Sequence, residues 1–467
     1  MSTVRERCFN DQLTGESRCA RSERRVLLIS HHFPPVGGAG VQRPVKFAKY
    51  LRNFGWDVSV LTASNPSVPV FDESLAADIP EHVIVERSRT WEPGYWLKSG
   101  MAATAVSARR KGVVATAKSW ARSAVRGTAM ALLQPDVQIL WTPSAYFAAS
   151  RLLRRVRHDA ILATAPPYSS LVLGRLLSKR FGLPLVLDYR DEWDLSSRYL
   201  ENTYRGHFSR VLQDRMQRSV LRQASAIVAT TQASAARLEA RASEARSHAE
   251  VECVYNGYDA DDFSDFAPGN DAGSSERAHH RLVYTGTLWN LTNVDPFVKA
   301  IELLAENKRD TLSRLELCFV GRKTPQQQSL LDRIAAIGCH VQFEDYCDHN
   351  EALQQMASAD TLCLLLSDVP GAERVVPAKL FEYLAARKEI LAIVPEGETA
   401  RIVRRFYPES QFSPGETQAI ANWISARAEG GSPTAPPSTD NESIRQFSRE
   451  SQAQQLASLL DRALNHA

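Results

Sequence analysis

The sequence of 467 residues lacks an apolar run of about 18 residues, the length that indicates a membrane-spanning helix. Residues 1–24 are polar and rich in arginine, so the apolar core of a secretory leader is missing as well. We therefore expect a cytoplasmic chain that does not cross a membrane.

Cysteine is scarce and irregularly spaced. The 7 cysteines form no CxxC pair, which indicates a reducing compartment rather than a disulfide framework. Cys339, His340, Cys347 and His349 lie close together in sequence, but their spacing fits neither a zinc finger nor a zinc ribbon. We expect no metal site and no cofactor.

An excess of charge of either sign is also missing, because 56 Lys and Arg residues balance 53 Asp and Glu residues. No general nucleic-acid binder is therefore expected, and any basic surface has to be local. One basic segment exists at residues 98–133, which contain no acidic side chain. Lys111, Lys118, Arg122 and Arg126 share one face of a helical wheel, which predicts contact with an anionic membrane surface. The alternative is a solvated basic face over an ordinary core helix.

The dinucleotide fingerprint GxGxxG is absent too. Residues 25–30 (RVLLIS) predict a buried first strand, and the following loop contains Gly37, Gly38 and Gly40. Arg43 occupies the place of the fingerprint's third glycine, so a dinucleotide dehydrogenase is the weaker interpretation. The glycines still fit a backbone that approaches a ligand between strand and helix.

The sequence does contain a repeated alternation of short apolar runs and helical segments, which is typical of parallel α/β sheets. Its length exceeds what one hydrophobic core usually serves. We predict an α/β fold with two Rossmann-like parallel-sheet domains facing a cleft. We predict an N-terminal extension (residues 1–24), a first domain (25–258), a linker (259–280), a second domain (281–430) and a C-terminal loop with a helix (431–467).

A βαβ unit is predicted over residues 361–394. Residues 361–366 predict a buried strand, Pro377 suits the first position of the next helix, and Arg387 and Lys388 are expected in its last turn. The loop after the strand and the free N–H groups of the helix would together form a crevice that accepts anions.

Charged residues cluster at this crevice, namely Glu373, Arg374, Lys379 and Glu382. Lys379 and Arg322, the latter in a loop after another strand, would place cations where a diphosphate could lie. Glu382 could accept hydrogen bonds from ribose hydroxyls, which suggests a nucleoside diphosphate sugar as the ligand. The alternative for Lys379 and Glu382 is an exposed helical ion pair at i,i+3 spacing.

Two strands of the first half are followed by the polar loops TAPPYSS and DYRDEWD. Open parallel sheets bind ligands at the carboxyl ends of their strands, so Tyr168, Asp188, Arg190 and Asp191 become candidates for the cleft. Arg190 and Asp191 could equally form a structural ion pair at the edge of the sheet.

The ordered set of motifs resembles the GT-B glycosyltransferases of family 4. The matching stretches lie between residue 25 and about residue 400, and they are FPPVGGAG, PDVQILW, TAPPYSS, LDYRDEW, YNGYD, YTGTLW, FVG and VPAKLFEYLAARKEILA. The resemblance implies retaining transfer of a sugar from a nucleotide donor, without a metal, to a lipid-linked or polysaccharide acceptor at the inner face of a membrane. It also implies that the first domain binds the acceptor and the second domain binds the donor.

The resemblance assigns roles by position. Gly38 and Gly40 would approach the acceptor and the donor phosphates, while Arg322 and Lys379 would neutralise the leaving diphosphate. Glu382 would hold the ribose of the donor.

Two departures from the family pattern concern loops that are expected to bind the donor. One is the loop that contains Glu373 and Arg374, called the donor loop below, and the other follows the first strand of the second domain. The family's first glutamate lies beside the donor sugar, but Glu373 is one position too far from Glu382 and Arg374 occupies the expected place. Members of the family also place Arg and Lys in the loop that is TGTLWNLTN here. Glu373 is therefore predicted to replace the first glutamate, and Arg374 to share in binding the donor phosphates.

Two other functions stay open at this point. A catalytically silent GT-B scaffold would bind partners without binding nucleotide. A sugar-nucleotide epimerase would consume a nucleotide sugar without needing an acceptor.

Overall fold

The computed structural model describes five ranges of the chain, residues 24–94, 133–195, 207–263, 279–431 and 441–465. Within these ranges the strands form two parallel sheets, of seven and six strands, which confirms the predicted fold class. The prediction of membrane contact at Lys111, Lys118, Arg122 and Arg126 falls outside the described residues. Among the described helices, none combines the length and the apolar character that crossing a bilayer requires.

The first sheet consists of β1 (Arg24–Ile29), β2 (Trp56–Ala63), β3 (Ile84–Ser88), β4 (Ala160–Ala165), β5 (Leu185–Tyr189), β6 (Ala226–Ala229) and β7 (Glu250–Cys253). Its order is β3-β2-β1-β4-β5-β6-β7. Helices cover both faces, so the central strands are continuous apolar runs that the sequence reveals. The sequence does not predict β3, because this edge strand (IVERS) is mostly half-buried and polar.

The second sheet consists of β8 (His280–Thr285), β9 (Leu315–Val320), β10 (His340–Glu344), β11 (Thr361–Leu365), β12 (Glu389–Ile393) and β13 (Gln411–Phe412). Its order is β10-β9-β8-β11-β12-β13. In both sheets the order reverses beside the first strand. The carboxyl ends of β1 and β8 therefore lie at the switch points, where open sheets form their ligand crevices.

Five helices of the first domain are α1 (Ala39–Tyr50), α2 (Thr142–Arg155), α3 (Ser169–Phe181), α4 (His207–Gln223) and α5 (Gln232–Glu244). Helices α2 to α5 pack in one layer, since their buried residues belong to a single core cluster with one face of the sheet. Helix α1 covers the opposite face.

The remaining helices are α6 (Asp295–Asn307), α7 (Arg309–Leu312), α8 (Pro325–Ala336), α9 (His349–Ala357), α10 (Lys379–Ala386), α11 (Glu398–Phe406), α12 (Thr417–Ala428), α13 (Asn441–Arg445) and α14 (Arg449–Asn465). Helices α6, α8 and α12 cover one face of the second sheet, and α9, α10, α11 and α13 cover the other.

The last helix returns to the first domain. Leu456, Leu459 and Leu460 of α14 belong to the core cluster that contains β1 and α1. Asp461 accepts hydrogen bonds from the guanidinium of Arg24 at 2.5 Å and from the indole nitrogen of Trp56 at 2.8 Å. The first domain is thus completed by the last segment of the chain.

The C-terminal segment, residues 431–467, contains two helices, α13 and α14, instead of the one helix that the sequence predicts. The residues between α13 and α14 pair with the interdomain segment, because the Tyr258 amide donates to the Phe447 carbonyl at 3.2 Å. The amide of Arg449, the first residue of α14, donates to the Tyr258 carbonyl at 2.8 Å. A Cβ on Gly257 would stand 1.9 Å from the Phe447 carbonyl oxygen. This contact brings together two segments that both connect the domains.

Gly257→Ala is therefore expected to lower the free energy of unfolding by about 1–3 kcal/mol, because the added methyl overlaps a backbone oxygen. Urea unfolding followed by circular dichroism measures this loss. Gly415→Ala is the matched control, since a Cβ there would meet no atom within 4 Å. Equal midpoints for the two variants would contradict the assigned contact.

The boundaries of α10 correct two expectations. The helix begins at Lys379, two residues after Pro377, and it ends at Ala386. Arg387 is the C-terminal cap with a left-handed φ of 55°, and Lys388 lies outside, so neither is in the last turn. The left-handed cap lets the chain turn at once into β12, which begins at Glu389.

Candidate active site

The loops after β8 and β9 pack backbone against backbone. The Gly286 amide donates to the Val320 carbonyl at 2.8 Å, and Gly286 and Gly321 have φ angles of 115° and 118°. A Cβ at Gly321 would stand 2.5 Å from the Gly286 carbonyl oxygen, so a larger residue does not fit. The same loop contacts Lys379, whose Nζ lies 2.7 Å from the place of a Cβ at Gly286.

Lys379 places its ammonium group at the carboxyl end of β8. Nζ donates to the Thr285 carbonyl at 2.5 Å and lies 3.9 Å from the centre of the Tyr284 ring. Burial of the ammonium lowers the pKa of Lys379 to about 7, and the carboxylate of Glu382 only partly offsets that shift. The structure thus holds, at a strand end, a lysine that takes up a proton readily when an anion arrives.

Glu382 lies one turn after Lys379 on α10 and is partly exposed. Since the Lys379 ammonium is directed to Thr285, the alternative of an exposed ion pair between Lys379 and Glu382 is wrong. The Glu382 carboxylate interacts electrostatically with Lys379, His349 and Arg449. The carboxylate of Glu382 therefore lies among three basic side chains.

Glu373 and Arg374 form a short 3-10 turn between β11 and α10. The Glu373 carboxylate accepts from the Gly371 amide at 2.9 Å and from Arg374 Nη1 at 2.6 Å. Arg374 Nε donates to Glu192 of the first domain at 2.8 Å. The guanidinium predicted to bind donor phosphates thus links the donor loop to the other domain, while the side chain of Glu373 remains 52% exposed.

The glycine loop precedes α1 at the carboxyl end of β1. Gly38 caps α1 with a φ of 101°, and a Cβ there would meet nothing within 4 Å, so space is open beside this helix start. A Cβ on Gly37 would stand 2.9 Å from Tyr346 Oη of the second domain. The loop therefore lies between the domains, with a 12-residue helix behind it whose N-terminus favours anions.

Two family models account for most of the chain. One, described as a glycosyl transferase 4-like domain, matches residues 37–257, and the other, described as glycosyl transferases group 1, matches residues 279–427. The chain is a GT-B glycosyltransferase. A search of curated protein sequences gave no significant match to this glycosyltransferase.

Solved structures share the fold along nearly the whole glycosyltransferase. HepE from Anabaena, solved with UDP and glucose, is 18% identical with a TM-score of 0.57, covering 94% of this chain and 99% of that one. The α,α-trehalose 6-phosphate synthase of Burkholderia multivorans is 12% identical with a TM-score of 0.60, covering 94% and 98%. The N-terminal domain of Candida albicans trehalose-6-phosphate phosphatase is 10% identical with a TM-score of 0.61, covering 94% and 99%.

The two domains of the glycosyltransferase meet at the start of α5. Glu398 of α11 accepts from the backbone amides of Gln232 at 2.7 Å and Ala233 at 2.9 Å, and from Tyr255 Oη at 2.5 Å. Thr231 Oγ1 donates to the Arg374 carbonyl at 2.9 Å. A carboxylate of the second domain thus caps a helix of the first, and sequence patterns give no signal for it because the partners of Glu398 are 143 or more residues away in sequence.

Arg190 of the glycosyltransferase binds backbone carbonyls. Its guanidinium donates to the carbonyls of Gly40 and Pro166, and burial lowers its pKa. Among the described residues no ion pair within 4 Å joins Arg190 to Asp191, although the charge of Asp191 acts on Arg190. Asp191 is exposed, and its backbone carbonyl accepts from Tyr168 Oη at 3.0 Å. Arg190 therefore fixes the glycine loop against the end of β4.

The prediction that Tyr168 faces the cleft is wrong. Tyr168 is 0% exposed, its ring stacks on the Trp193 ring with the ring centres 4.6 Å apart, and its backbone amide donates to the Asp136 carboxylate. Asp188 is likewise buried, paired with Arg43 at 2.9 Å. Both side chains pack inside the first domain, because Trp193 and Arg43 offer them partners there.

Arg322 is exposed after β9, and its backbone carbonyl accepts from the Leu288 amide at 2.8 Å. The neighbouring Lys323 is directed elsewhere, since its Nζ donates to the Gly321 and Glu344 carbonyls at 2.8 and 2.6 Å. The Lys379 ammonium, which reaches the end of β8 from the start of α10, and Arg322, which follows β9, thus lie at the ends of neighbouring strands. Among the described residues, no three His, Cys, Asp or Glu side chains group as a metal site would require.

His31 directly precedes the glycine loop and is buried in the first domain. His31 is 1% exposed at the end of β1, its Nε2 lies 3.5 Å from Glu92, and its ring meets Trp141 edge-on at 5.1 Å. The histidine is visible in the sequence as part of HHFPP, but its two partners are distant and could not be assigned.

Proposed function

We propose that this glycosyltransferase moves a sugar, with retention of configuration, from a nucleoside diphosphate sugar to a lipid-linked or polysaccharide acceptor at the cytoplasmic face of a membrane. The observation that carries the proposal is the placement of Lys379, a partly desolvated cation at a strand end and helix start. The GT-B relative HepE, which was solved with UDP and glucose, supports a uridine nucleotide as the first donor to test.

The main catalytic task is the departure of the nucleoside diphosphate. As the glycosidic bond to the donor breaks, negative charge grows on the leaving phosphate, and a preorganised cation stabilises it best where water is scarce. Lys379 would supply that cation from the start of α10, and Arg322 would add a second one from the adjacent loop. The phosphate's charge would in turn raise the pKa of Lys379 and keep the ammonium protonated.

The remaining site residues would position the substrates. Glu382 would accept hydrogen bonds from the ribose hydroxyls, and Glu373 would lie beside the donor sugar. The loop of Gly38 and Gly40, held by Arg190, would place the free amides of α1 near the donor phosphates and the acceptor. Asp191, exposed at the end of β5, would face the acceptor side.

The proposed reaction needs no metal, because Lys379 and Arg322 would provide the positive charge. We also propose that the protein is peripheral at the inner membrane face and that Lys111, Lys118, Arg122 and Arg126 contact anionic lipids there. The acceptor would then be met at the surface where it is anchored.

Thermal shift with UDP, GDP and dTDP tests donor binding. The correct nucleotide at about 100 times its Kd should stabilise the protein by about 2.7 kcal/mol through mass action. No shift with any nucleotide would favour the catalytically silent scaffold. Consumption of a nucleotide sugar without an acceptor would favour the epimerase.

Glu382→Ala is expected to weaken binding of the stabilising nucleotide about 10-fold, since it removes a charge-assisted hydrogen bond to the ribose. Titration calorimetry measures the affinity. Glu306→Ala, at an exposed glutamate of α6, is the control. Equal affinities for the two variants would remove Glu382 from the site.

A further inference from the structure

The outer surface of α2, α3 and α4 carries basic side chains almost without acidic ones. The only acidic residue in these three helices is Asp214. Exposed basic residues occur along all three, among them Arg151, Arg154, Lys179, Arg210, Arg215 and Arg218. These six residues define the basic helix face, which stands out in a protein whose net charge is only +3.

The three helices present one continuous surface. Helix α2 contacts α3, and α3 contacts α4. Their inward residues all join the core cluster beneath the first sheet, so their outward residues point away from the same side of the domain. The basic helix face is thus a single patch rather than three separate ones.

Helix stability does not account for this patch. Cations in the last turn complement the helix dipole, which explains Arg154 and Lys179. Arg210 lies in the first turn of α4 and Arg215 at its middle, where cations gain nothing from the dipole. Arg154, Lys179 and Arg215 also have no ion pair within 4 Å among the residues that the structure describes.

Large apolar side chains protrude from the same layer. Phe147 on α2 is 73% exposed, Phe208 on α4 is 65% exposed, and Leu176 on α3 is 38% exposed. Phe147 and Arg151 follow one another at i,i+4 spacing, so ring and guanidinium share one side of α2. Apolar side chains among cations are the composition of surfaces that enter the headgroup region of anionic membranes.

The basic segment that precedes α2 in sequence does not suit the patch as a cover. Residues 98–133, which precede α2 in sequence, contain no acidic residue and would be repelled by it. A single-stranded nucleic acid is bound by aromatic platforms inside a basic groove, whereas these side chains stand on the outside of three neighbouring helices. Charge and apolar exposure together favour a bilayer.

We propose that the basic helix face docks on an anionic lipid bilayer and thereby fixes the first domain on the membrane. The proposal deepens the proposed function, because it names the surface through which the acceptor-binding domain would meet a membrane-bound acceptor. Phe147 and Phe208 would enter the headgroup layer while the surrounding guanidinium groups bind lipid phosphates.

Co-sedimentation of the full chain with vesicles tests the proposal. Arg154→Glu, Lys179→Glu and Arg215→Glu combined should weaken binding to phosphatidylglycerol vesicles by at least about 100-fold, since each basic residue near an anionic surface contributes separately. The matched control combines Arg309→Glu, Arg314→Glu and Arg445→Glu, which are exposed arginines of the second half of the chain. Phosphatidylcholine vesicles should bind none of these proteins, neither the wild type nor the two triple variants.

Equal binding of the two triple variants would overturn the proposal. We call the combination of Arg154→Glu, Lys179→Glu and Arg215→Glu the helix-face variant. The proposal would also be overturned if this variant bound the vesicles fully while the combination of Lys111→Glu, Lys118→Glu, Arg122→Glu and Arg126→Glu released the protein from them. A third outcome would assign the patch to nucleic acid instead: the wild type binds single-stranded RNA but no vesicles, and the helix-face variant loses the RNA binding. An unchanged thermal shift with the donor nucleotide in the helix-face variant shows that the fold and the donor site are intact, so a failure here is distinguishable from a failure of the proposed function.

Discussion

Lys379→Met is expected to lower the rate of sugar transfer by about 10²–10³-fold, the usual effect of removing one preorganised group that stabilises a departing anion. Methionine keeps an unbranched apolar side chain in the place of the lysine stem, while it removes the ammonium that lies 2.5 Å from the Thr285 carbonyl and 3.9 Å from the centre of the Tyr284 ring. The loss should therefore appear in transfer rather than in folding.

Initial rates with the donor identified by thermal shift measure the effect. Lys299→Met is the matched control, because Lys299 is a lysine of the same domain that pairs with Asp295 at the surface. The control should transfer sugar at the wild-type rate. Transfer by Lys379→Met at that same rate would refute the assigned role.

The pKa of Lys379 adds a prediction about protons. Because the folded protein holds this pKa at about 7 instead of 10.5, the unfolded chain binds more protons between these values. The contribution of Lys379 to the free energy of unfolding therefore rises with pH across that window. A bound diphosphate raises the pKa again, so nucleotide binding near pH 8 should take up a proton. Calorimetry in two buffers of different ionisation enthalpy should detect this uptake, and Lys379→Arg, which is always charged, should abolish it.

Glu398→Ala is expected to lower the free energy of unfolding by about 3–5 kcal/mol, because it leaves two amides and one hydroxyl without their charged acceptor. The side chain of Glu398 is 3% exposed and joins Gln232, Ala233 and Tyr255 across the domains. Its loss should also let the domains unfold separately, seen as two transitions in urea.

Glu396→Ala provides the contrast for this prediction. Glu396 lies two residues away and pairs with Arg404 at 2.5 Å, but its side chain is 69% exposed. An exposed ion pair contributes about 0–1 kcal/mol, so this variant should unfold almost as the wild type does. If the two variants lose the same stability, the domains are not held together by Glu398.

The sequence predicts much of the fold because buried parallel strands are apolar along their whole length. The run at residues 361–366 matches β11, and β12 is the second strand of the βαβ unit predicted over residues 361–394. The order of strands and helices then follows from alternation, and the crevice at the start of α10 follows from the position of strand ends. Lys379 could be found in this way because its place depends on local order alone.

Contacts between distant segments could not be predicted. Nothing near Arg374 in the sequence indicates that Glu192 is its partner, and nothing near Glu398 indicates α5. Tyr168 shows the same limit, since a strand-end tyrosine faces either the cleft or the core according to its neighbours, here Trp193. An amphipathic pattern shows that α14 buries one face but not that this face lies on the first domain.

The return of α14 also fixes the order in which the protein can be completed during synthesis. A nascent chain leaves the ribosome from its N-terminus, so the first sheet emerges long before residues 449–465. Until those residues follow, the apolar surface around Val26, Val58 and Ala160 lacks the leucines that cover it in the finished protein. Nascent and truncated chains therefore expose an apolar surface of the kind that chaperones bind. The domain that is made first is the one that is finished last.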